Sequence, residues 1–167
     1  MAKFAGIVLL ALATIGMAGA QVKLAVINSQ KAVIDTAEIK KAQAELEAKF
    51  KPRQDQALKL QKDLQDIQVQ LQGGKLNQNA EQDLQLQGQR KQRELQRIQE
   101  DLQADVDRER NDILQRTGAR MQEVVKKLAD EKGLDVVIDS SNTVFFKTAL
   151  ELTAEATSAY DKAYPVK

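Results

Sequence analysis

The sequence of 167 residues has no Cys, no His and no Trp, only two Pro, and 4% aromatic residues. Without His or Cys there is no imidazole base, no thiolate nucleophile and no ordinary zinc, haem or iron–sulfur ligand set. So few aromatic rings leave little to stack on bases or to fill a deep ligand pocket. An excess of charge is also lacking: 25 Lys and Arg stand against 24 Asp and Glu, which argues against a dedicated nucleic-acid binder. Gly73-Gly74-Lys75 has neither the upstream glycine spacing nor the following Ser or Thr of a nucleotide-phosphate loop. Acid pairs such as Asp63/Asp66 and Asp105/Asp107 lie in polar helical sequence, where they read as solvated charges. No enzyme, cofactor or metal is expected.

What is present begins with an address. Residues 1–20 place Lys3 before an apolar run from Phe4 to about Met17, followed by Ala18-Gly19-Ala20. That is the pattern of a cleaved secretory signal peptide. A membrane anchor is the rival reading, but the run is shorter than the ~20 residues a spanning helix needs. Cleavage would leave 24 positive and 24 negative charges, since Lys3 is the only charge removed. Export to a bacterial periplasm is expected, and the lack of Cys suits an oxidising compartment.

Three regions follow. Val22 to Asn28, with Leu24, Val26 and Ile27, is a short apolar run that predicts a strand buried on both faces. A long polar region then extends from about Ser29 to Lys132. Finally, Leu134 to Ile138 (with Val136 and Val137) and Thr143 to Phe146 (with Val144 and Phe145) predict two strands joined by the polar turn Asp139-Ser140-Ser141-Asn142. Thr153 is expected to cap a last helix reaching about Tyr160.

The middle region carries the clearest period. Leu46, Phe50, Ala57, Leu60, Leu64, Ile67 and Leu71 fall at steps of three and four, with Arg53 in the one gap. Gly73-Gly74 then breaks the helix. A second helical run carries Leu84, Leu95, Ile98 and Leu102 at its apolar positions. Folding back at the glycines sets Leu64 against Leu84, Phe50 against Ile98 and Leu46 against Leu102, which predicts an antiparallel helical hairpin. The same fold-back sets weak pairs in mid-arm: Leu60 with Gly88, Ala57 with Lys91 and Arg53 with Leu95. Pro52 and Gly88 would add bending points. One continuous dimeric coiled coil with a glycine stutter is the alternative; the strands bracketing the helices favour the hairpin.

A hairpin arm with so narrow a seam is marginal alone, because backbone ordering costs about 1–2 kcal/mol per residue. The flanking strands and one helix make a small base with open strand edges. Association of several copies through that base is therefore expected, and the residues alone leave a dimer or a trimer open.

In the order of these parts the chain resembles the Skp/OmpH family of periplasmic chaperones. The resemblance rests on Lys23-Leu24-Ala25-Val26-Ile27-Asn28, the hairpin, Leu134-Asp135-Val136-Val137-Ile138-Asp139 and the closing Leu152-Thr153 helix. It implies a mainly α fold with a small β part: a homotrimer with a β-rich association core and three helical tentacles around a cavity. It also implies ATP-independent holding of unfolded outer-membrane β-barrel proteins on their way across the periplasm. The corresponding division is a signal peptide at 1–20, a discontinuous core at 21–37 and 118–167, and an arm at 38–117 with its tip at 73–75. A structural coiled-coil spacer or adaptor of the envelope is the alternative function. The chain departs from the family in charge. Arg90, Lys91, Arg93 and Arg97 are interleaved with acids, so contact with membrane or lipopolysaccharide is expected to be weak or absent.

Overall fold

A computed structural model describes residues 22–74 and 76–166. Residues 1–20, where a leader is expected, lie outside the described residues. The chain runs β1 (Leu24–Ile27), α1 (Ser29–Ile34), α2 (Ala37–Gln72), α3 (Gln78–Lys132), β2 (Val136–Asp139) and α4 (Thr153–Ala163), with single 3-10 turns at 140–142 and 148–150.

Local chemistry accounts for the boundaries. Asn28 caps α1 by accepting the Lys31 N–H at 2.8 Å, and Thr36 caps α2 by accepting the Ile39 N–H at 3.3 Å. Helix α2 stops at Gly73, and Gly74 takes a positive φ of 60° that a side chain would resist. Asn77 then caps α3 by accepting the Ala80 N–H at 2.9 Å. Gly133, at φ 61°, ends α3 in the left-handed conformation, and the next N–H, of Leu134, returns to Ala129 O at 2.9 Å. Two capped helices separated at 73–77 are a hairpin, and the continuous coiled coil is excluded.

β1 and β2 pair in parallel, Leu24 beside Val136 and Ile27 beside Asp139. Parallel neighbours need a crossover that carries the chain back to the starting end, and here the crossover is α1 plus the whole hairpin. At 1.5 Å per residue α2 is about 54 Å long and α3 about 80 Å, so α3 continues past the arm into the base. There Met121, Val124 and Leu128 join Ala25, Ile27, Ala32, Leu152, Ala156 and Tyr160 in one core.

Two sequence expectations are corrected, and one element is new. Residues 143–147 form no strand; β-branched and aromatic residues favour an extended chain, but a strand exists only with a pairing partner, and one copy offers none. Thr153 does not cap α4, because its hydroxyl accepts the Asn28 N–H at 2.9 Å and Leu152 takes the N-cap position. Short α1, with its break before α2, was not foreseen within the long polar region.

Candidate functional site: the arm and the open sheet face

Along the arm the two helices pack on an apolar seam, in a register that differs from a fold-back at the glycines. Phe50, Ala57, Leu60 and Ile67 are buried, and Leu46, Leu64, Leu71, Leu84, Leu95, Ile98 and Leu102 are half-buried. Yet Gly88 sits against Ile67, whose Cγ2 lies 3.4 Å from where a Cβ on Gly88 would stand. Lys91 lies against Asp63 and Arg53 against Asp105, both at 2.6 Å. The expected partners Leu60, Ala57 and Leu95 are each displaced by about two turns of helix or more. Helix α2 runs to Gln72 and α3 starts only at Gln78, so the connector is longer than a fold at the two glycines and shifts the second helix by about a heptad. Such a slip keeps the same faces together.

Charge pairs also cross the arm beside the apolar seam. Lys49 donates to Glu109, Arg53 to Asp105 and Lys91 to Asp63. These hold the Asp63 and Asp105 carboxyls below their ordinary range, the hydrogen bonds from Lys91 and Arg53 being the largest causes. Sequence reading missed them because their partners are 28 to 60 residues apart, and only the correct register brings them together. Pro52 lies inside an unbroken α2.

The outward faces of the arm are polar with isolated apolar residues. Leu58 and Val69 lie eleven residues apart, three helical turns, on the side of α2 opposite the seam; Leu86 is similarly placed on α3. All three are at least half exposed. Beyond Leu86, Arg90, Arg93 and Arg97 share an open groove with Glu94.

The residues expected to form an association core divide into two sets. Ile27 is buried in the core, and Val137 and Leu134 pack against it. Alternation puts Leu24, Val26, Val136 and Ile138 on the other face of the sheet. Val26 is buried there, but Leu24, Val136 and Ile138 are 37–45% exposed. Val22, Val144 and Phe145 are more exposed still, with Phe145 at 81%, and Phe146 is half-buried.

Among the described residues no cluster of acidic side chains is arranged to hold a metal ion. No helix among them is long and apolar enough to cross a membrane.

A family model described as "Outer membrane protein (OmpH-like)" matches residues 23–160. Among solved structures, the chain is similar to a candidate outer membrane chaperone (OmpH-like) from Caulobacter crescentus CB15. The two are 17% identical, with 89% of each chain covered and a TM-score of 0.72, a likeness of fold. No curated protein matches.

Proposed function

The chain belongs to the OmpH-like family, and from that premise we propose that it is a periplasmic holdase that keeps unfolded outer-membrane β-barrel proteins from aggregating, without ATP. The observation that carries this reading is the surface of the arm. Leu58, Val69 and Leu86 stand singly on polar, Gln-rich faces. Isolated apolar side chains give many weak contacts, which suit clients of varied sequence better than one deep site does. Pro52 and Gly88 are the positions where the arm bends to fit clients of different size. The open face of the sheet, with Leu24, Val136 and Ile138, and the segment Val144–Phe145 form the surface through which three copies join. A leader at 1–20 delivers the protein to the periplasm.

The test is dilution of a denatured β-barrel protein into buffer with and without the chain, in the absence of nucleotide. Aggregation followed by light scattering should be suppressed at a small molar excess. Replacing Leu58, Val69 and Leu86 together with Gln should weaken suppression several-fold while leaving the helical circular-dichroism signal intact. Unchanged scattering at every excess of the parent chain would overturn the reading.

A further inference from the structure

At the root of the arm lies a polar cluster that the holding of clients by exposed apolar side chains does not use. Glu38, in the first turn of α2, is 14% exposed at its side chain. Its carboxylate accepts hydrogen bonds from Arg116 at 3.1 and 3.2 Å, from Arg120 at 3.1 and 3.3 Å and from the Tyr160 hydroxyl at 2.5 Å. Arg120 also lies over the ring of Tyr164, 4.8 Å from its centre. One carboxylate thus joins the start of α2 to α3 and to α4.

We propose that Glu38 is a positioning residue: its carboxylate fixes the direction in which the arm leaves the base, and through that the space open to a client. Three features carry the proposal. The break between α1 and α2 at Asp35–Thr36 means that α2 does not continue α1, so its direction is set by its contacts with α3 and α4. Among the described residues, α2 is hydrogen-bonded to α4 only by the Tyr160–Glu38 contact and by the Ala37 N–H to Asp161 at 2.9 Å. The ion pairs of Lys49, Arg53 and Lys91 lie farther out, where they hold the arm to itself rather than to the base.

The geometry stands apart from the client-holding reading, and only its consequence for clients rests on that reading. Because the chain has no Cys, Gln70→Cys near the tip and Ser158→Cys on α4 can carry spin labels in the full mature chain, with excess unlabelled chain present. Double electron–electron resonance should show a distance distribution at least two-fold broader in Glu38→Gln than in the parent, and Glu38→Asp should restore the narrow one. The range of client sizes held should widen in the same variant. A parent that holds no client would overturn the holdase reading and leave the distance result standing. If Glu38→Gln does not fold, Tyr160→Phe removes one link alone and should broaden the distribution less. A folded Glu38→Gln, or failing that a folded Tyr160→Phe, with the parent's distribution would overturn the proposal.

Discussion

Lys91 on α3 donates to Asp63 on α2 at 2.6 Å, and each side chain is about one-third exposed, at 32%. The pair works as a register pin more than as a source of stability, because partly exposed ion pairs contribute little. The apolar seam alone tolerates a slip of one heptad, since every seam residue would still face the other helix. In a slipped hairpin Lys91 would lose its carboxylate, as would Arg53 its Asp105. Disulfide formation reads the register directly. Ile67→Cys with Gly88→Cys should cross-link on mild oxidation, because these positions already touch. Leu60→Cys with Gly88→Cys should not, because seven residues along a helix are about 10 Å, beyond the reach of a disulfide at ~4 Å between Cβ atoms. Cross-linking of the second pair alone would place the arm in the other register.

The same residues mark how much was legible beforehand. The hairpin and the two strands that bracket it were, because a seam at steps of three and four, a glycine pair and two apolar runs each carry a local signal. Register was not: a period repeats, so it names faces and leaves partners open, and the length of the connector decides between them. Nor was the Glu38 cluster, whose members lie 78 to 122 residues apart and follow no motif. The segment Thr143–Phe146 has strand composition without strand structure, because pairing is a property of two segments and composition belongs to one.

Val137 and Ile138 are neighbours on β2 with opposite environments, and they separate folding from association. Val137 packs against the core of one copy, whereas Ile138 is 37% exposed on the open face. Val137→Asp should destabilise the single copy by about 2 kcal/mol or more, since it buries a charge without a partner. Its melting temperature and helicity should both fall. Ile138→Asp with Phe145→Asp should leave helicity near that of the parent and reduce the sedimentation mass to that of one chain. An unchanged mass at micromolar concentration would move the association surface elsewhere.

Stability should fall on acidification and be nearly level between pH 5 and 7. No His is present to titrate there. The Asp139 carboxylate accepts from the Ser141 hydroxyl at 2.6 Å, the Ser141 N–H at 2.8 Å and the Ser29 N–H at 3.1 Å. These bonds, that of the Ser141 hydroxyl foremost, hold it far below the ordinary carboxylate range. Asp63 and Asp105 are lowered by Lys91 and Arg53. A carboxyl whose folded pKa lies below its unfolded value binds more protons when unfolded, so it stabilises above about pH 4 and that stability is lost as pH falls. Thermal melts followed by circular dichroism should therefore show a level Tm down to about pH 5 and a decline below about pH 4. Asp139→Asn should lower Tm at pH 7 and make the acid decline shallower. An equally steep decline in that variant would assign the acid sensitivity to other carboxyls.

Client capture should depend little on salt. Leaving out residues 1–20, 24 positive charges meet 24 negative ones, so no net field draws a client from a distance. Several of the arm's cations are already matched across the seam, Lys49 by Glu109, Arg53 by Asp105 and Lys91 by Asp63. Burial of apolar groups such as Leu58 and Val69 is not screened by salt, whereas attraction between exposed charges fades beyond about 8–10 Å at physiological ionic strength. Raising salt from about 0.05 to 0.5 M should then leave the affinity for an unfolded β-barrel client within a few fold. Binding to vesicles of anionic lipid should be weak at both ends of that range. Titration of a labelled client at several salt concentrations checks the first expectation, and vesicle co-sedimentation the second. A loss of affinity of ten-fold or more would transfer capture to local charge. Its place would be the face of α3 where Arg90, Arg93 and Arg97 gather around Glu94, and replacing those three with Gln should then abolish the salt dependence.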